Sequence, residues 1–201
     1  MNTPIDVHWM APGAPFTPPP AAEGVTVVGV RGQPERDTAR RTIRAVLRTA
    51  LAAHWAVAED LVELHSPSGD APWALVRLAG APRRVPLAIS HDGDLSVAAF
   101  AAGNAVGVDV SQIVPVPDWE AVARDYLGPA VAQALAGVPG AVRDAAFARA
   151  WSEQEARSKY FGLALEEWSA ERDARLAGCA VRPLLLPEAY AGFVALAPVT
   201  P

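Results

Sequence analysis

The chain has 201 residues, with 17 Lys+Arg against 22 Asp+Glu for a net charge of -5, and 51% of it is hydrophobic. That gives ample apolar side chain for a core and no disorder signature, while the acidic balance argues against a general nucleic-acid binder. Its single cysteine, Cys179, excludes an internal disulfide framework and a multi-cysteine zinc site. Residues 1–6 show no basic region leading into an apolar run, and no window holds the roughly 18 apolar residues of a membrane span. A cytoplasmic protein is therefore expected.

Residues 11–22, APGAPFTPPPAA, form a proline-rich lead-in that is expected to run extended over the surface. Residues 25–30 are β-branched and short, a buried strand broken by Gly32 and Pro34. From Glu35 to about Trp55 the period is helical, with Ile43, Val46, Leu47, Ala50, Leu51 and His54 on one face. Arg36, Arg40, Arg44 and Arg48 form a second stripe on that helix, either a solvated face or a surface for a polyanion such as a nucleotide phosphate. Residues 61–64 and 73–78 read as a hairpin around the turn at 66–70. Strands follow at 87–90, at 95–101 and, after Gly103-Asn104, at 106–110. Asp109 interrupts the last of these, and a carboxylate in an apolar strand must be paired, hydrogen-bonded or metal-bound.

In the second half, Asp118 is placed to cap a helix whose apolar face is Trp119, Val122, Ala123, Tyr126 and Leu127, extending towards 136. A Gly/Pro stretch at 137–140 separates it from a longer helix at about 143–161, stopped by Gly162. The end reads as extended, with strands at 181–186 and 190–196. Both halves combine helix with short strands, so an α+β pseudo-duplicate is expected.

Phe147, Trp151, Glu155 and Lys159 share one face of the long second helix. Two readings stand open: an ordinary Glu155–Lys159 i,i+4 salt bridge, or Glu155 beside Asp109 as an oxygen-ligand pair for a hard cation, with Lys159 on a phosphate. Lys159 is the only lysine among 17 basic residues, either by chance or for its chemistry. Ser90-His91 serves either the hairpin or a site. There is no Walker loop, no Gly-x-Gly-x-x-Gly, no His-Glu-x-x-His and no Gly-x-Ser-x-Gly.

Taken in order, Ile89-Ser90-His91-Asp92-Gly93-Asp94, Gly107-Val108-Asp109-Val110 and Trp151-Ser152-Glu153-Gln154-Glu155-Ala156-Arg157-Ser158-Lys159-Tyr160-Phe161-Gly162 resemble the 4′-phosphopantetheinyl transferase superfamily. The resemblance spans roughly residues 36–165, and residues 189–195 look like that family's last strand. Its length resembles the single-chain, Sfp-type members. The resemblance implies a pseudo-duplicated fold of two α+β halves, 1–104 and 105–201, each with a long helix packed on a small sheet and the active site at their interface.

It further implies transfer of 4′-phosphopantetheine from coenzyme A to a serine of an apo acyl or peptidyl carrier protein, releasing adenosine 3′,5′-bisphosphate. Asp109 and Glu155 would hold Mg²⁺, with Glu155 a candidate base. Lys159 would act on phosphate, and Ser90, His91, Arg40 and Arg44 would bind coenzyme A. A monomer that binds neither nucleic acid nor membrane is expected. Three positions depart from the pattern: Ser111 stands where a glutamate is usual, Gln154 where a lysine is usual, and Gly69-Asp70-Ala71-Pro72 where Gly-Lys-Pro is usual. Arg83 and Arg84 are candidates to restore positive charge. These departures leave an alternative: a weakened or inactive relative that binds coenzyme A or a carrier protein as an accessory to a synthase.

Overall fold

The computed structural model describes residues 3–19, 24–33 and 35–198. Two short strands open it, β1 (Ile5–Asp6) and β2 (His8–Trp9), followed by β3 (Thr26–Val30) and α1 (Arg36–His54). A 3-10 turn at Glu59–Leu61 leads to β4 (Val62–His65), β5 (Trp73–Arg77), β6 (Pro82–Asp92), β7 (Leu95–Phe100) and β8 (Gly107–Gln112). Helices α2 (Trp119–Val122), α3 (Pro129–Ala136), α4 (Gly140–Tyr160) and α5 (Ala170–Leu176) precede β9 (Ala180–Leu185) and β10 (Tyr190–Leu196).

The strands make two mixed sheets, so the fold is α+β. The larger has the order β2-β3-β7-β6-β5-β4, the smaller β1-β9-β10-β8. Helix α1 presents Ile43, Val46, Leu47, Ala50 and Leu51 at helical spacing to one face of the larger sheet, where they bury against Val28, Val30 and Phe100. Alternate residues of the same strands, Val27, Val97 and Ala99, turn to the opposite face and meet Val108, Val110 and Val194 of the smaller sheet. The other face of the smaller sheet is covered by α4, through Ala156 against Ala195 and Phe193. Each sheet therefore carries one long helix on its outer face, with an apolar seam between the sheets.

Strand β6 is long enough to change partners. Residues 82–86 pair with β5 and residues 87–92 with β7. Beyond the end of β5, the edge of β6 is taken up by β8, itself an edge strand. The exchange uses side chains rather than a ladder. Val110 N donates to Ser90 Oγ at 3.3 Å and Gln112 N donates to Asp92 Oδ2 at 2.7 Å. Tyr190 Oη donates to Asp94 Oδ1 at 2.6 Å, pinning the β6–β7 turn to β10 as well.

The structure changes several sequence expectations. Residues 118–136 are not one helix: α2 runs into a π-helical turn at Ala123–Leu127, and Gly128, at φ +92, ends it before α3 begins. A side chain at 128 would be strained, and its Cβ would fall 2.5 Å from Trp168 Nε1. Asp118 sits at the N-cap but its side chain accepts no capping hydrogen bond. Helix α4 starts at Gly140, three residues ahead of expectation, and α5, capped by Ser169 accepting from Arg172 N, lies between α4 and the strands at the end, where no element was expected. Strands β1 and β2 were not expected. Residues 11–19 hold no helix or strand, whereas residues 20–22 and Pro34 lie outside the described residues. Among the described residues, no helix is long and apolar enough to cross a membrane.

Candidate functional site

A cleft of about 1010 Å³ opens where β6 passes β8. Its first wall is α1, which contributes Arg36, Arg40 and Arg44. The stripe drifts as it climbs, because four residues overshoot a turn of 3.6, and Arg48 leaves the cleft. Arg44 hydrogen-bonds Ser66 Oγ on the β4–β5 turn, while the exposed Arg40 has only a 4.0 Å contact with Asp37. The second wall is α4, whose Trp151, Glu155 and Lys159 share one face, as their spacing predicts. The ends of β6 and β8 form the floor, with Ser90, His91, Asp109 and Ser111.

Alternation along β8 explains the floor. Val108 and Val110 point into the seam between the sheets, so Gly107, Asp109 and Ser111 point to the α4 side. The helix comes very close there. A Cβ on Gly107 would fall 1.9 Å from the Ala156 carbonyl oxygen and 2.6 Å from Tyr160 N. Only glycine permits this approach, and it brings α4 down onto Asp109.

Asp109 is 6% exposed, and its Oδ1 accepts two hydrogen bonds, from Lys159 Nζ at 2.7 Å and Ser90 Oγ at 2.6 Å. Burial raises its pKa, opposed by the Lys159 ammonium and the Ser90 hydroxyl. Glu155, one turn before Lys159, has its Oε1 buried with no hydrogen-bond partner. Burial raises the Glu155 pKa, and the neighbouring Asp109 charge raises it further. Of the two readings of α4, the i,i+4 bridge is not formed: Lys159 pairs with Asp109, and the i,i+4 pair on this helix is Glu153–Arg157 at 2.8 Å. His91 Nδ1 shares a 2.8 Å hydrogen bond with Ser96 Oγ across the β6–β7 ladder.

The departures fall unevenly. Ser111 lines the cleft, beside Asp109. Gln154 lies on the adjoining face of α4, against Tyr126, Leu127 and Arg172, and does not line the cleft. Arg83 and Arg84 do not supply charge there either. Arg83 lies over Trp55 and Arg84 over Trp73, at the far end of an 11-residue strand whose rise separates Arg83 from Ser90 by roughly 23 Å. Sequence reasoning did not find the Asp92–Gln112 and Asp94–Tyr190 ties that hold the floor together. Nothing local signals them, since Tyr190 is 96 residues from Asp94.

The arrangement can seat a polyanion between the arginines and Lys159. It can also hold a hard cation, because an unpartnered buried carboxylate oxygen on Glu155 beside a second carboxylate is the donor chemistry such an ion takes. Among the described residues, no cluster of three His, Cys, Asp or Glu side chains could hold a metal, so two carboxylates are what the chain offers. Magnesium sites often use one or two carboxylates with substrate phosphates and water.

The fold and cleft define an α+β protein with an arginine-lined cleft that has the buried Asp109 on its floor and Glu155 on its α4 wall. Residues 105–184 match the family model of the 4′-phosphopantetheinyl transferase superfamily, and this part of the chain, from β8 through α4 into β9, carries that superfamily's domain. No curated protein matches the chain.

Proposed function

We propose that the protein transfers 4′-phosphopantetheine from coenzyme A to a serine hydroxyl of an apo acyl or peptidyl carrier protein. The observation that carries this reading is the cleft itself: three arginines of α1 face Asp109, Glu155 and Lys159, within a chain that bears the superfamily domain. The reading assigns the halves 1–104 and 105–201 to the two walls, as a pseudo-duplicate.

In the reaction, the carrier serine oxygen attacks the phosphorus that bears the pantetheine arm. The bond from that phosphorus to the bridging oxygen breaks, and adenosine 3′,5′-bisphosphate leaves. The diphosphate of coenzyme A is anionic and the leaving bisphosphate takes on further charge, so that charge must be neutralised for the nucleophile to approach. Arg40 and Arg44, with Ser90 and His91, would hold the nucleotide end, and Lys159 would contact the diphosphate. Ionised Glu155 is the candidate base for the serine proton, since burial and a like charge make its carboxylate more basic than an exposed one. Asp109 and Glu155 would hold Mg²⁺, which when bound supplies charge neutralisation of the diphosphate.

Intact-mass spectrometry of several apo carrier proteins, incubated with coenzyme A, Mg²⁺ and this protein, tests the reading. The expected result is a Mg²⁺-dependent gain of one phosphopantetheine on at least one carrier, lost in Asp109→Asn and Glu155→Gln. Full transfer by both variants would refute the proposed metal site. The specific observation behind a second reading is Ser111, which leaves the cleft one carboxylate short of the usual pattern. In that reading the chain binds coenzyme A or a carrier without turnover. Binding of coenzyme A with no transfer across a panel that an active transferase modifies would favour it.

A further inference from the structure

Asp109 already has a cation on it. Lys159 Nζ lies 2.7 Å from Oδ1, Ser90 Oγ donates to the same oxygen at 2.6 Å, and Glu155 stands one helical turn away with its Oε1 unpartnered. When ionised, the two carboxylates and the ammonium sum to a single negative charge, to which Asp92 on the same cleft adds, and the contact between Lys159 and Asp109 is a charge-assisted bond in a part-buried site. A divalent ion on these carboxylates sits roughly 2.0–2.1 Å from its oxygens. An ammonium bound to the same carboxylate would then lie only a few ångströms from it, in surroundings that screen repulsion poorly.

Lysine is suited to move between partners: its charge is a compact point on a flexible four-carbon stem, and Lys159 lines the cleft with 29% of its side chain exposed. A diphosphate in the cleft offers that ammonium another anionic partner. We propose that Lys159 is a tethered cation that occupies the carboxylate site in the free protein and releases it to a divalent ion only when a diphosphate-bearing substrate draws the ammonium away. This inference rests on the transferase reading for the identity of the diphosphate. It goes beyond that reading by making metal entry conditional on substrate. Linkage requires the effect to be mutual: the diphosphate and the divalent ion each tighten the other by the same factor, and Lys159 sets that factor.

The test measures Mn²⁺ binding by the free-ion electron paramagnetic resonance signal, without a carrier so that no turnover occurs. Wild type is compared with Lys159→Gln, which keeps a hydrogen-bond donor for Asp109 but removes the charge, and with Lys159→Met as a second uncharged variant. Without coenzyme A, both are expected to bind Mn²⁺ at least tenfold more tightly than wild type. Adding coenzyme A should tighten Mn²⁺ strongly in wild type and much less in the variants. Equal or weaker Mn²⁺ binding by a folded Lys159 variant would overturn the proposal. Asp109→Asn reports on the underlying reading separately: if it binds Mn²⁺ as wild type does under both conditions, the carboxylate metal site itself fails.

Discussion

Burial and the Asp109 charge both work against ionised Glu155, and none of its neighbours hydrogen-bonds Oε1. Its folded pKa is raised above the unfolded value. The stability it contributes is therefore complete below about pH 4 and is lost as pH rises through the raised folded value. Glu155→Gln should melt at nearly the wild-type temperature in acid and above it at neutral pH. The gap should widen across that rise, by about 2–4 °C for each 1 kcal/mol relieved. Thermal melts of the two proteins from pH 4 to 8 check this, and a constant gap would remove the electrostatic explanation. Transfer should be lost in the same variant, a trade of activity against stability at a charged site. At this scale the sequence was informative because the chemistry is local: a carboxylate inside an apolar strand, and a carboxylate and a lone lysine four residues apart on a helix, both announce themselves. That Lys159 would pair with Asp109 rather than Glu155 was not legible, because it depends on how closely α4 approaches β8.

That approach belongs to the elements, and Gly107 controls it. Gly107→Ala would place a methyl 1.9 Å from the Ala156 carbonyl oxygen, and neither helix backbone nor strand can yield at the contact without moving as a unit. The variant should lose about 1–3 kcal/mol in chemical denaturation and lose transfer too, since Glu155 and Lys159 ride on the displaced helix. Wild-type stability in this variant would mean that α4 and β8 are free to part. Long periodic elements such as α1 and α4 were readable, and so was β8, whose alternation separates Asp109 from its valine neighbours. The two-residue strands β1 and β2 were not, because two residues carry no period. The break at Gly128 was missed for a different reason: the apolar positions before and after it fit one helical pattern, while the Trp168 ring that packs there is 40 residues on.

At the scale of the molecule, the cleft exists because two sheets meet at one seam and share the edge between β6 and β8. The N-terminal segment reinforces the meeting. Within five residues it adds β1 to the smaller sheet beside β9 and β2 to the larger beside β3, with Ile5 2% exposed in the seam. Ile5→Ala should cost about 2–5 kcal/mol, as a buried large-to-small change does. Because the lost contacts tie the sheets, unfolding should become less cooperative, seen as non-coincident fluorescence and circular dichroism transitions. A cost under 0.5 kcal/mol would show that the tie is dispensable. This strap has a bearing on how the protein is made. Arg182 Nε donates to the Thr3 carbonyl, 179 residues earlier, and a ribosome adding about 5–20 residues per second separates those two groups by on the order of 10–30 s. The larger sheet and α1, with β8 directly behind them, emerge well before β9 and β10. Until β10 arrives, Val27, Val97 and Ala99 have Val108 and Val110 of β8 over them but not Val194, so the half-made chain presents a partly covered apolar sheet face for a chaperone to shield.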